Sequence, residues 1–214
     1  MGAVLRIDHA GDLINAYAQV FREKLIFRNF HHDYPQHLVC PAINSDANQA
    51  NVQAILINNT IGYISGAGHG THGEFIGENN LPIWDISTSL NLLGGKIVHL
   101  LACKSGGLLG PDMTDVGGVT AFWGYTAEFV FNTMDSPLSL EDDNVAQVFF
   151  EMDCIIDKEI LAGRTSAEIY DSISDFVAQN WPNLPFADQG LLLSNFIYLA
   201  CPAPKWGDPN TLML

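Results

Sequence analysis

Two short stretches hold most of the reactive side chains in this sequence. GAGHGTHGE, Gly66 to Glu74, places His69 and His72 among four glycines and one carboxylate. KIVHLLACKSGG, Lys96 to Gly107, carries an apolar run up to a thiol, Cys103, and then turns away through Lys104, Ser105, Gly106 and Gly107. His69, His72 and Glu74 are candidate metal ligands, since a loop can bring residues three apart onto one ion. Zinc usually takes a third or fourth protein ligand, however, and no second His/Cys/Asp cluster at ligand spacing is present. The other chemistry is nucleophilic: a thiol at the end of one strand with an imidazole just beyond the end of another. In parallel α/β sheets the carboxyl ends of strands line one crevice, so a Cys–His dyad needs only that the two strands be close.

The surrounding elements have to supply that placement. Ala3 to Ile7 reads as a short strand near a sheet edge. Asp12 then caps a helix in which Leu13, Ala16, Tyr17, Val20 and Phe21 fall on one face at helical spacing. A polar, His-rich connection, Asn29 to Gln36, leads to an apolar run at Leu38 to Cys40. The next helix is expected from Ser45 or Asp46 to about Asn58, with Ala47, Ala50, Ala54 and Ile55 inward. Ile61 to Ser65 is a buried strand, Ile83 to Leu93 a helix stopped by Gly94-Gly95, Lys96 to Ala102 and Val119 to Tyr125 two further strands, and Asn195 to Cys201 a late one. Val145, Val148, Phe149, Met152, Ile155 and Ile156 mark a long helix ending near Gly163. Thr165 and Glu168 form a capping box for the following helix, which turns Ile169, Ile173, Phe176 and Val177 to one face. This alternation of strand and helix predicts an α/β fold, a mostly parallel sheet with helices on both faces, in a single domain over residues 1–214.

YISGAGHG followed by KIVHLLACKSG resembles the caspase-like cysteine peptidases, the group of caspases, legumains, clostripains, gingipains and CHAT-domain proteases: an apolar strand then His-Gly, an apolar strand then Ala-Cys. Gly207-Asp208-Pro209 resembles the Gly-Asp-Pro that closes gingipain-type catalytic domains, so the likeness spans roughly residues 61 to 209. Leu101 stands where caspases have Gln, and the His-to-Cys interval is shorter than the ~50 residues typical of caspases, which points to a bacterial-type relative and away from a preference for Asp. The resemblance implies a caspase-like fold and peptide-bond hydrolysis with Cys103 as nucleophile and His69 as general acid/base. It further implies an oxyanion site at the backbone N–H groups of Gly70 and Cys103, and a substrate pocket walled by Trp123, Gly124 and Tyr125, for which a plain core strand is the alternative. His72 is left as a neighbour without an assigned role. His-Gly-Thr-His at 69–72 also occurs around the catalytic histidine of subtilases, but the Gly-Thr-Ser-Met-Ala serine loop they need has no counterpart beyond Arg164-Thr165-Ser166-Ala167, already a helix start.

Composition narrows the partners. At 214 residues and 48% hydrophobic the chain can bury a substantial core, and a net charge of −15, from 9 basic and 24 acidic residues, would repel a phosphate backbone, so nucleic acid is not expected. No apolar run is long enough for a membrane span. Arg6, Asp8 and Asp12 interrupt the start of the chain where a signal peptide is apolar, so a cytoplasmic location and no membrane partner are expected. Gly2 alone is no myristoylation signal, since Arg6 holds the usual Ser/Thr position. Cys40, Cys103, Cys154 and Cys201 form no C-x-x-C pair and read as reduced thiols. The expected partners are a polypeptide substrate and a regulatory protein, because an active protease inside its own cell needs control. The net charge would suit an acidic pocket for Lys or Arg, with no single acid to assign to it. No cofactor is required by the dyad. Calcium is a side expectation at Glu141-Asp142-Asp143, motivated by calcium dependence among clostripain-like proteins, against the alternative of a solvated helix N-terminus. A non-catalytic caspase-like binding or signalling module is the competing function.

Overall fold

A strand that is apolar at consecutive positions has no side to turn to water and must be covered on both faces. The Lys96 to Ala102 run meets that condition. In the computed structural model of the chain, which describes residues 2–87, 90–134 and 138–200, it lies inside a sheet with helices on both faces. In chain order the elements are β1 (Ala3–Asp8), α1 (Leu13–Arg22), a π-helical turn at Glu23–Phe27, α2 (Phe30–Asp33), β2 (Val39–Ile43), α3 (Gln49–Asn58) and β3 (Ile61–Ala67). There follow the small strands β4 (His69–Gly70), β5 (Glu74–Ile76) and β6 (Pro82–Asp85), then β7 (Ile97–Leu101), α4 (Leu109–Asp115) and β8 (Ala121–Tyr125). The chain continues through α5 (Asn144–Leu161), α6 (Ser166–Asn180), α7 (Phe186–Ile197) and β9 (Leu199–Ala200).

The main sheet runs β2-β1-β3-β7-β8 with every pair parallel, and β9 adds antiparallel at the β8 edge. Strand alternation sorts the core into two layers. Tyr63, Ile97, Leu101, Trp123 and Tyr125 face α1, α5 and α6, while Ile64, Val98, Leu100 and Phe122 face α3, α4 and the β5–β6 hairpin. The α/β architecture with helices on both faces is therefore observed. No helix among the described residues is long and apolar enough to cross a membrane.

Several local expectations are corrected. Ile83 to Leu93 is not one continuous helix: Ile83 and Trp84 lie in β6, paired antiparallel with β5, and among the described residues of this stretch only Asn91–Leu93 forms a 3-10 turn. Ile83, Ile86, Leu90 and Leu93 mimic helical spacing, but Asp85 Oδ1 accepts from the Ser87 N–H at 2.6 Å and turns the chain out of register. α3 starts only at Gln49, capped by Asn48, after a 3-10 turn at Asn44–Asp46. It buries Val52 and Leu56, leaving Ala50 and Ala54 exposed. The late strand from Asn195 is mostly α7, with β9 reduced to two residues, and β1 lies inside the sheet, not at its edge. Cys201 and the Gly207-Asp208-Pro209 motif lie outside the described residues.

The α1–α5 layer is not wholly apolar. Arg22, fully buried, donates from Nε to Asp8 Oδ1 at 2.8 Å and from Nη2 to Ser65 Oγ at 2.9 Å, and lies 3.4 Å from Asp157 Oδ2 through Nη1. Asp157 also accepts from Tyr63 and Ser65. His99 sits between Asp153, at 3.1 Å, and Asp157, at 3.3 Å. The donor-type atoms of His99, Asp153 and Asp157 all lie within 4.8 Å of one another, but the positive charge that balances them comes from Arg22 and His99 themselves. Burial disfavours the charged imidazole of His99, yet the charges of Asp153 and Asp157 outweigh it and lift its pKa to about 9. For Asp157 burial acts upward, and the His99 and Arg22 charges reverse it, holding the carboxyl far below its ordinary value.

Candidate active site

β3 and β7 pair in parallel with Ala67 opposite Leu101, so their residue numbers differ by 34, and His69 and Cys103 differ by the same 34. Each therefore stands two residues beyond a matched pair of strand ends, on the side of the sheet that carries Ala67 and Leu101 toward α1. The two loops are held together beyond the strands. Gly68 N–H donates to the Leu101 carbonyl at 3.3 Å. A Cβ on Gly70 would lie 2.5 Å from the Cys103 carbonyl oxygen, so only glycine permits this approach. Leu108 and Leu109 N–H groups, just past the Cys103 turn, donate to the His72 carbonyl at 2.9 and 2.8 Å.

His69, Gly70 and Cys103 line one cleft of about 470 Å³. The third polar group at the site is Asp12. Its Oδ2 is hydrogen-bonded to His69 Nε2, while its Oδ1 accepts the Asn15 N–H at 2.9 Å as the cap of α1. Burial raises the Asp12 carboxyl, but the Asn15 N–H and then the bond and charge of His69 outweigh it, and the pKa falls below its ordinary value. A carboxylate on Nε2 places the proton there and leaves Nδ1 as the atom that can take a proton from a thiol.

Cys103 is half-buried, and burial is the largest influence on its thiol, pushing it above its ordinary value. The backbone N–H of Phe129 and the Lys104 charge act downward, the Glu128 charge upward. The balance of these influences favours the protonated thiol over the thiolate. Lys104, immediately after it, adopts a left-handed φ of 60° and is fixed by its N–H to the Ala127 carbonyl at 2.8 Å and by its Nζ to Glu128 at 2.8 Å.

The expected pocket wall is corrected as well. Trp123 and Tyr125 are fully buried in the layer under α1 and α5, and the Tyr125 hydroxyl donates to Asp153 at 2.9 Å. Gly124 gives room to the Cys103 turn, since a Cβ there would lie 2.9 Å from Ser105 Oγ. The apolar wall comes instead from Leu13, Ile14, Phe129, Val130 and Phe131. None of these was singled out by sequence as a site residue. Leu13 and Ile14 reach the cleft because β1 pairs with β3, so the chain leaving β1 toward Asp12 runs beside the chain leaving β3 toward His69.

His72 is exposed and is not part of the cleft lining. His69, His72 and Glu74 do not gather as ligands: His69 is engaged with Asp12, and Glu74 accepts from the Thr71 hydroxyl at 3.2 Å. In the acidic triplet, Glu141 pairs with Arg28 at 2.7 Å and Asp142 accepts from Ser139 Oγ at 2.8 Å. Asp143 caps α5 by accepting from Val145 and Ala146, and its other oxygen accepts from the Tyr17 hydroxyl and the Met134 N–H. The chain matches no protein-family model and no curated protein.

Proposed function

We propose that this chain is a caspase-like cysteine peptidase in which Cys103, His69 and Asp12 act together. The observation that carries the reading is the common offset of 34 between the paired ends of β3 and β7 and between His69 and Cys103, which brings thiol and imidazole to one cleft. Cys103 Sγ attacks the substrate carbonyl carbon as its proton passes to His69 Nδ1, with Asp12 holding Nε2. The oxyanion of the tetrahedral intermediate takes backbone N–H groups of Gly70 and Cys103. Collapse breaks the C–N bond, and the amine leaves with the proton from His69. Water then attacks the thioester, gives one proton through His69 to the departing thiol, and releases the carboxylic acid. Because burial pushes the thiol above its ordinary value, proton transfer accompanies attack instead of preceding it.

The competing reading, a caspase-like module that binds without cutting, draws on the same raised thiol. Hydrolysis of fluorogenic peptides separates the two. Cys103→Ala and His69→Ala should each lower kcat/KM by at least ~10³-fold without lowering the melting temperature, and His72→Ala should cost less than His69→Ala. Full activity in Cys103→Ala, or no hydrolysis and no labelling of Cys103 by a thiol-reactive peptide probe in the parent, overturns the peptidase reading.

A further inference from the structure

Every charged group at the cleft already has a partner within it. Asp12 is bonded to His69, and Lys104 to Glu128 at 2.8 Å. What remains to meet a substrate side chain is apolar: Leu13 and Ile14 at the first turn of α1, 65% and 57% exposed, face Phe129, Val130 and Phe131 across the opening. Exposure of that size on large aliphatic side chains beside a candidate nucleophile leaves apolar area for a ligand to cover. The cleft, about 470 Å³, has room for one large side chain and the adjoining backbone. A guanidinium or carboxylate placed there would lose water and gain no unpaired counter-charge among the described residues. From this we infer that the cleft selects a large apolar side chain, leucine or phenylalanine, on the residue whose carbonyl Cys103 attacks. This inference rests on the peptidase reading and sets aside the basic substrate suggested by net charge.

The test is a set of four fluorogenic peptides identical except for Leu, Phe, Arg or Asp before the scissile bond, with the parent chain and Leu13→Glu. Leu13 is largely exposed at the start of α1, where an added carboxylate favours the helix dipole, so the fold should tolerate the change. The parent should favour Leu or Phe over Arg and Asp by about 10- to 100-fold in kcat/KM. Leu13→Glu should lower the Leu and Phe values and raise the Arg value. A parent that cleaves the Arg or Asp peptide best overturns the apolar selection and leaves the peptidase reading standing. The same holds if Leu13→Glu leaves the ratio of the Leu and Phe values to the Arg value unchanged. If none of the four is cleaved and Cys103 is not labelled by the corresponding chloromethyl ketones, the peptidase reading fails and this inference with it.

Discussion

Gly70→Ala is the sharpest perturbation the site offers, because one methyl group tests whether the His69 loop and the Cys103 turn must touch. Gly70 does not occupy the left-handed φ region, so alanine brings no backbone strain of its own. Its Cβ would lie 2.5 Å from the Cys103 carbonyl oxygen and 3.0 Å from Ala102 Cβ, and the nearer of these is backbone that cannot swing aside. Ordinary contact starts at 3.4 Å, so the two loops must part by about 0.9 Å. A displacement near 1 Å between reacting groups costs about 10²-fold in rate, while the overpacking itself costs about 1–3 kcal/mol of stability. Gly73→Ala serves as the control from the same loop, since its Cβ would only reach Ile86 Cγ2 at 3.4 Å. The measurement is kcat/KM on a cleaved peptide, with thermal melts to confirm that each variant is folded. A Gly70→Ala protein within about threefold of the parent would refute the argument that close approach of these loops builds the site.

Asp12→Asn should lower kcat by about 10²-fold with little change in KM, and Asp12→Glu should recover part of it, since Asp12 positions His69 and does not touch substrate; equal loss in both variants would argue against positioning. His99 titrates near 9 in the fold and near 6.5 when unfolded, so its contribution, on the order of 3 kcal/mol, is complete below pH ~6.5 and is lost as pH rises through 9. Melting temperature should therefore fall between these values, and His99→Gln should flatten that slope; a parent with a level profile there would contradict the assignment. Asp157 acts in the opposite direction, its stabilisation being present above the ordinary carboxylate range and lost as pH falls below it. Asp143→Ala should destabilise by about 2–3 kcal/mol, from a lost helix cap and a stranded Tyr17 hydroxyl, as read by urea unfolding. A calcium chelator should leave the parent's melting curve unchanged, and a shift would reassign that carboxylate to a metal.

The candidate pair, His69 and Cys103, was legible because it follows two buried strands, whose unbroken apolar runs and glycine-rich exits are local signals. Asp12 was legible only as a helix cap. Its bond to His69 depends on β1 and β3 being neighbours, which no local pattern in either strand encodes. Trp123 and Tyr125 were misplaced for a related reason. A fully buried strand has large residues on both faces, so its pattern does not say which face meets the cleft, and Tyr125 is held inward by Asp153, which lies 28 residues along the chain. The Ile83 to Leu93 region failed because a spacing of three and four residues can be satisfied by a short strand followed by a turn. Phe129, Val130 and Phe131 lie in irregular backbone, where neither strand nor helix period applies.

The matched ends of β3 and β7 set a rule for which length changes this chain can accept. Between His69 and Cys103 the chain leaves the main sheet, forms the β5–β6 hairpin and returns, so residues added there change the count of 34 without moving either strand. A single residue inserted between Ala67 and His69, or between Leu101 and Cys103, does the opposite. It preserves the loop and turns one reactive side chain to the other side of the sheet, toward α3 and α4. Relatives of this protein should then differ freely in the length of that excursion while keeping two residues from each strand end to its reactive side chain, a spacing by which they can be sought even where the sequences no longer align.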